Sequence, residues 1–164
     1  MHSPIPDIDA GPDAGATPAD AGRDAARDAG PRPDAGPPIG DVLIYAHSRD
    51  RLYTFSPYTN TVTPVGTFRT ESGEPAPFML DLAVDAEGIV FTSSDEALWR
   101  VDPETAVVTH VGDFGLGRDQ LFALSFLAPE ESPDGSEMLV GATNEGVYYE
   151  VDRNDASTRR LGHY

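Results

Sequence analysis

The sequence contains no cysteine, no lysine and no long apolar run, and two of these absences exclude whole classes of protein. Without cysteine the chain can form no disulfide, no thiolate metal site and no cysteine nucleophile. No stretch approaches the ~20 consecutive apolar residues of a membrane-spanning helix. Residues 1–7 show neither the basic nor the apolar part of a secretory signal peptide. We therefore expect no membrane span.

The absence of lysine leaves arginine as the only strongly basic residue, and the charge balance is acidic. The chain carries 28 acidic against 11 basic residues, with a formal net charge of −17. A field of this sign repels phosphate backbones and anionic lipid surfaces. We therefore expect no nucleic-acid partner.

Residues 1–40 differ in composition from the rest of the chain. They hold eight of the fifteen prolines and almost no large apolar residue. Such a segment cannot bury enough surface to offset the entropy of ordering, so we predict a disordered linker. It acts either as a spacer or as a neutral leader. The triplet Asp-Ala-Gly recurs in it at 9–11, 13–15, 20–22, 28–30 and 34–36.

This tail resembles the acidic, proline-alternating linkers of bacterial surface lipoproteins. The resemblance implies a periplasmic or cell-surface location for the domain that follows. The lipid-anchored cysteine and the signal peptide that accompany such linkers are not part of this sequence.

From residue 41 onward, short apolar alternations are broken by turn residues, and three segments align. Segments 52–68, 98–114 and 148–164 recur at offsets of 46 and then 50 residues. Each one predicts a strand, a tight turn and a second strand. The turns open with Ser56, Asp102 and Asp152, whose side-chain oxygens can accept hydrogen bonds from N–H groups two residues on. A glycine near the end of each segment predicts a turn or the close approach of another part of the chain: Gly66, Gly112 and Gly162.

Further strands precede each aligned segment. Two precede the second segment, two precede the third, and only one, at 42–46, precedes the first. The second pair is joined by the turn 85–88, in which Asp85 is a turn residue. The predicted count is therefore three strands, then four, then four, in units at about 41–68, 79–114 and 121–164. No segment after residue 41 shows a helical period.

Four-stranded antiparallel units that repeat every 40 to 50 residues are typical of a β-propeller. The segments Leu98–Thr105 and Leu82–Gly88 resemble the NHL, quinoprotein-like and YVTN-type blade families. We therefore predict an all-β fold, a partial β-propeller of about three antiparallel blades in residues 41–164. Because propellers close with four to eight blades, four arrangements remain open. They are a piece of a larger propeller, a ring assembled from several chains, an open fan that self-associates through its blade edges, and another arrangement of the sheets.

Few residues suggest chemistry, and the sequence predicts no catalytic residue, no metal site and no cofactor. His47, His110 and His163 lack the spacing of metal ligands. No serine lies in a Gly-x-Ser-x-Gly motif, and no glycine-rich phosphate loop is present. Trp99, aligned with Tyr53 and Tyr149, predicts packing between blades rather than a stacking platform.

The loops are the remaining candidates, because connections carry function on rigid β scaffolds. In the families that the repeat resembles, ligands bind the inter-blade loops and the loops between second and third strands. An arginine there suits a carboxylate, so a protein or an acidic carbohydrate is the expected ligand. We predict a non-enzymatic binding or scaffold module, with a fragment of a propeller enzyme such as a lactonase, lyase or quinoprotein as the alternative. The predicted ligand-binding residues are Arg49, Arg51, Arg69, Asp95, Glu96, Arg118 and Asn144.

Overall fold

The computed structural model describes residues 42–133 and 135–163, and this part of the chain is all-β, as predicted. The predicted linker, residues 1–40, lies outside the described residues. Eleven strands form three antiparallel meanders of three, four and four strands, which is the predicted count. We call them blades 1, 2 and 3.

Blade 1 contains three strands in the order β1-β2-β3. They are β1 (Ile44–His47), β2 (Arg51–Ser56) and β3 (Thr61–Thr67). Within the residues that the structure describes, blade 1 therefore has one strand fewer than the other two blades, as the sequence predicts.

Blade 2 contains four antiparallel strands, with a short additional strand at its outer edge. The four are β5 (Asp81–Val84), β6 (Val90–Ser93), β7 (Ala97–Val101) and β8 (Val107–Asp113). The additional strand, β4 (Arg69–Thr70), pairs in parallel with the start of β8. The sequence did not indicate β4, which opens the loop between blades 1 and 2.

Blade 3 contains four antiparallel strands in the order β12-β11-β10-β9. They are β9 (Leu121–Leu127), β10 (Met138–Thr143), β11 (Val147–Val151) and β12 (Thr158–His163). The longer β9–β10 connection contains one short 3-10 helix, Pro129–Glu131.

The predicted tight turns of blades 2 and 3 share one hydrogen-bond pattern, and that of blade 1 differs. Asp102 Oδ1 accepts a bond from the N–H of Glu104 at 2.9 Å, and Asp152 Oδ1 accepts one from Asn154 at 2.8 Å, as predicted. In blade 1 the prediction was wrong by one residue, because Ser56 Oγ accepts from Thr59, three positions on, at 3.3 Å. We call 56–60, 102–106 and 152–156 the junction turns. Each ends in a non-glycine residue with positive φ: Asn60 (54°), Ala106 (61°) and Ala156 (61°).

The core lies between blades rather than within one of them. Leu52 of blade 1 packs in one buried cluster with Val90, Val101 and Val108 of blade 2. Leu98 of blade 2 packs in a second cluster with residues of blade 3 that include Leu139 and Val151. The aligned aromatics follow this pattern, because Trp99 packs against the first cluster and Tyr149 against the second. Blade 1 thus buries apolar residues against blade 2, and blade 2 buries others against blade 3.

A glycine near the end of the last strand of a blade allows the junction turn of the next blade to come close. A Cβ added to Gly112 would lie 2.1 Å from the carbonyl oxygen of Asp155 in the junction turn of blade 3. At Gly66 the corresponding distance, to the carbonyl oxygen of Thr105 in blade 2, is 3.0 Å. The prediction that another part of the chain comes close is therefore confirmed at these two glycines. Each blade shows a register shift beside its glycine, after Leu52, Leu98 and Tyr148.

Candidate functional site

The first group of predicted site residues lies where the β1–β2 loop meets the chain that enters blade 2. The N–H of Met79 donates to the carbonyl oxygen of Arg49 at 2.8 Å. This bond holds the two segments together, and the Arg49 guanidinium lies 5.8 Å from the ring centroid of Phe78. Phe78 is 62% exposed although it is a large apolar side chain. Arg51 is exposed at the start of β2, two residues from Arg49. We call Arg49, Arg51 and Phe78 the arginine–aromatic surface.

Arg69 has a different role from the other two arginines. Its Nη1 donates to the carbonyl oxygen of Gly73 at 3.1 Å, and the N–H of Thr70 donates to Glu74 at 2.9 Å. The guanidinium therefore stabilises its own loop, which reduces its capacity to bind a ligand.

The second group surrounds the β6–β7 loop. The N–H of Phe114 donates to the carbonyl oxygen of Glu96 at 2.8 Å, which brings the β6–β7 loop against the chain that leaves blade 2. A cavity of about 130 Å³ opens there, with four carboxylates in its lining: Asp95, Glu96, Asp113 and Asp119. Arg118 is exposed in the chain that leaves blade 2, between β8 and β9.

Asn144 lies apart from both groups in the turn between β10 and β11. The N–H of Gly146 donates to the carbonyl oxygen of Thr143 at 3.1 Å and closes this turn. Among the hydrogen bonds and ion pairs of residues 42–133 and 135–163, none links Asn144 to the arginine–aromatic surface or to the cavity lined by the four carboxylates. None links that surface to that cavity. The predicted residues thus form two local groups, with Arg69 and Asn144 each apart from both. Ligand binding at each remains a prediction.

The most connected polar group is one that the sequence did not suggest. Arg153, in the junction turn of blade 3, places Nη1 3.1 Å from Oδ2 of Asp85 in blade 2. The Asp85 side chain is completely buried, and its Oδ1 accepts from the N–H groups of Glu87 at 3.1 Å and Ile89 at 2.7 Å. Glu137 of blade 3 accepts from the N–H of Ala86 at 3.0 Å. Asp85 is therefore a turn residue, as predicted, and it also joins two blades.

The carboxylates of Asp85, Glu87 and Glu137 lie close enough together to hold a metal ion. The Arg153 guanidinium nevertheless lies among them, at 3.7 Å from Glu87 and 3.8 Å from Glu137 as well as at 3.1 Å from Asp85. It supplies the compensating charge that a cation would supply. The arrangement is therefore accounted for as an inter-blade ion network, next to a groove of about 520 Å³.

A departure from the repeat could have indicated this network. The second position of the junction turn is proline in blades 1 and 2, at Pro57 and Pro103, whereas blade 3 has Arg153. Replacement of a turn proline by a charged residue suggests a separate role for that side chain. Its partner, 68 positions earlier, could not be identified from the sequence.

Two exposed turn carboxylates have lowered pKa values. The hydroxyl of Thr105 donates to Asp102 Oδ2 at 2.7 Å and is the largest cause of the lowered pKa of Asp102, followed by the N–H of Glu104. The N–H of Ser157 donates to Asp155 Oδ1 at 2.8 Å and lowers the pKa of Asp155. A carboxylate that is stabilised in its ionised form in this way is suited to closing a turn rather than to proton transfer near neutral pH.

The comparisons with known proteins concern the fold alone. No protein-family model matches the sequence, and no curated protein matches it. Among solved structures, the extracellular domain of the putative one component system BT4673 from B. thetaiotaomicron is similar, with 12% identity and a TM-score of 0.48. This chain is covered to 81% and that one to 18%. The Dos1 propeller is similar with 13% identity and a TM-score of 0.47, over 75% of this chain and 34% of that one.

The chain spans about a fifth to a third of the length of these two structures. In the part of the chain that the structure describes, no helix has the length and apolar character needed to cross a lipid bilayer. The strand order of the described residues is itself that of antiparallel meanders resembling propeller blades.

Proposed function

We propose that this chain is a non-enzymatic binding module whose ligand contacts the arginine–aromatic surface. The observation that supports this proposal is the pair formed by Arg49 and Phe78. A largely exposed phenylalanine is unfavourable in water, and here its ring lies 5.8 Å from a guanidinium on a loop fixed by a backbone hydrogen bond. Arginine and aromatic side chains are the types enriched where binding energy concentrates in interfaces.

The chemistry of this surface favours a carboxylate-bearing ligand. Arg49 and Arg51 are two cations in a chain of formal net charge −17, and their exposed guanidinium groups can form paired hydrogen bonds to a carboxylate. Phe78 adds an apolar face against which a sugar ring or an aliphatic side chain can pack. An acidic oligosaccharide and an acidic protein segment share these features. The linker composition of residues 1–40 supports presentation of the module outside the cytoplasm.

Isothermal titration calorimetry with oligogalacturonate and with a Glu-rich peptide tests the proposal. We expect at least one of them to bind, and Arg49→Gln and Phe78→Ala each to raise its Kd by about tenfold, the effect of losing ~1.4 kcal/mol. Arg100→Gln is the matched control. It removes the same charge from an exposed position on β7, outside the surface, and should change Kd less than twofold.

Two outcomes would contradict the proposal. One is the absence of binding by either ligand at millimolar concentration. The other is an equal loss of affinity in Arg100→Gln and Arg49→Gln, because this would show a response to net charge rather than to the surface.

A further inference from the structure

The two blade junctions repeat one arrangement of residues. One side of each junction consists of a leucine and the glycine paired with it on the next strand. These pairs are Leu52 with Gly66 and Leu98 with Gly112, and the strand register shifts after each leucine. On the other side lies the junction turn of the next blade, whose Ala106 or Ala156 Cβ lies within 3.3 Å of the position of an added glycine Cβ. Leu52, Leu98 and both alanines are 0% exposed. Contact with the next blade thus buries these positions completely.

Blade 3 presents the same side of this arrangement as a partly exposed face. Tyr148 occupies the leucine position opposite Gly162 and is 41% exposed. Leu161 is 40% exposed, whereas its equivalents Val65 and Val111 pack against the two buried clusters. Apart from its chain neighbours, a Cβ added to Gly162 would have no atom of the described residues within 4 Å. These residues line a predominantly apolar groove of about 400 Å³ together with Leu127 and Val140.

Blade 1 presents the complementary side. Its junction turn ends at Asn60 with φ 54°, close to the 61° of Ala106 and Ala156. Asn60 is exposed, in contrast to the two buried alanines. Val62, which follows this turn, is 62% exposed, whereas its equivalent Val108 is 1% exposed. Tyr58 at the tip of the turn is also exposed.

We propose that the groove of blade 3 binds the junction turn of blade 1 from a second copy of this chain. The chain carries both halves of the contact, and two internal junctions show how the halves fit. The contact is heterologous, so two copies can make it twice and close into a ring. That ring contains six blades, which lies within the range of four to eight in which propellers close. The proposal is independent of the arginine–aromatic surface.

The acidic charge of the chain predicts how self-association depends on ionic strength. Two copies of formal net charge −17 repel each other, while the proposed contact is mainly apolar. Because salt screens repulsion between charges more than a Debye length apart, association should strengthen as salt increases from 20 to 500 mM.

Sedimentation velocity of the full chain over a range of concentrations tests the assembly. We expect a reversible species of twice 17.5 kDa. Leu161→Asp and Tyr58→Asp each introduce a charge at an exposed position of one face and should weaken the dimer at least tenfold. Phe122→Asp introduces the same charge at an exposed phenylalanine of β9, outside both faces, and is the matched control. It should not change the dimerisation constant.

Mixing the two variants distinguishes this contact from a symmetric one. A Leu161→Asp copy and a Tyr58→Asp copy together retain one fully native junction, so the mixture should form more dimer than either variant alone. A face-to-face contact between two blade 3 grooves predicts instead that Tyr58→Asp has no effect.

Disulfide trapping tests the register of the contact directly. Because the chain contains no cysteine, Asn60→Cys in one copy and Gly162→Cys in another provide the only two thiols. Oxidation should link them rapidly, whereas the pair Ser72→Cys and Gly162→Cys, with the first cysteine in an exposed loop, should not be linked. A chain that remains monomeric at high salt and millimolar concentration would overturn the proposal. Dimers that Tyr58→Asp leaves intact would also overturn it.

Discussion

Single side chains close the turns of this molecule by bonding to nearby backbone N–H groups. Asp102, Asp152 and Asp85 all accept such bonds within four residues of their own position. Aspartate does this well because its short side chain places an oxygen close to the following N–H groups. The many carboxylates of the chain are thereby partly explained by local structure.

The Thr105 hydroxyl gives a prediction for Asp102. Because the pKa of Asp102 lies below its ordinary value of 3.8 in the folded chain, its ionised form stabilises the turn above pH 3.8. This contribution is lost as pH falls through the lowered pKa. Thr105→Val removes the largest cause of the shift, so the pKa of Asp102 should move up towards 3.8 and acid unfolding should begin at higher pH. NMR titration of the side-chain carboxyl carbons measures the change.

Asp155 provides the internal control for this experiment. Its pKa is lowered chiefly by the N–H of Ser157 and does not depend on Thr105. Thr105→Val should therefore leave the titration of Asp155 unchanged. An unchanged pKa at Asp102 in the variant would contradict the assigned cause.

At the scale of elements, the strand count could be predicted because each strand alternates and each turn carries its own turn chemistry. Strand β4 could not, because a strand of two residues exists only through its parallel pairing with Val107 and Val108. The contacts between elements could not be predicted from the sequence either. The arginine at position 153 is visible as a departure from the repeat, but its partner Asp85 is found only in the folded chain.

The ion network between the turns of blades 2 and 3 should contribute measurably to stability. Arg153→Gln leaves the buried Asp85 carboxylate without its charged partner and brings three carboxylates together without a cation. Because Arg153 is 42% exposed, solvent screens the pair, and we expect a loss of about 1–2 kcal/mol in the free energy of unfolding. Urea denaturation measures this loss.

Arg160→Gln is the matched control for the network. Arg160 is exposed on the neighbouring strand β12 of the same blade, and its replacement should cost less than about 0.5 kcal/mol. Equal losses in the two variants would show that the effect comes from net charge. In the double variant Asp85→Asn/Arg153→Gln, the loss should be smaller than the sum of the two single losses.

At the scale of the whole molecule, the blades depend on one another because blade 1 buries apolar residues against blade 2, and blade 2 buries others against blade 3. The repeat in the sequence indicates a propeller-type architecture and places a glycine near the end of each aligned segment, at Gly66, Gly112 and Gly162. It cannot show which of these glycines is covered, because that depends on where a neighbouring blade lies. The same limit applies to the candidate site: the loops were predicted, but the pairing of Arg49 with Phe78 depends on how two distant segments meet.

Blades 1 and 2 are each held by the close approach of the next blade's junction turn to their glycine, and one set of substitutions tests this arrangement. Alanine at Gly112 would place a Cβ 2.1 Å from a backbone oxygen, and alanine at Gly66 would place one at 3.0 Å. At Gly162 the Cβ would lie within 4 Å of no atom of the described residues apart from its chain neighbours. Urea denaturation at low concentration, below self-association, should show a loss of about 2–3 kcal/mol for Gly112→Ala and about 1 kcal/mol for Gly66→Ala. Gly162→Ala should change stability by less than about 0.5 kcal/mol. Equal losses at all three glycines, or no loss at Gly112, would contradict the account.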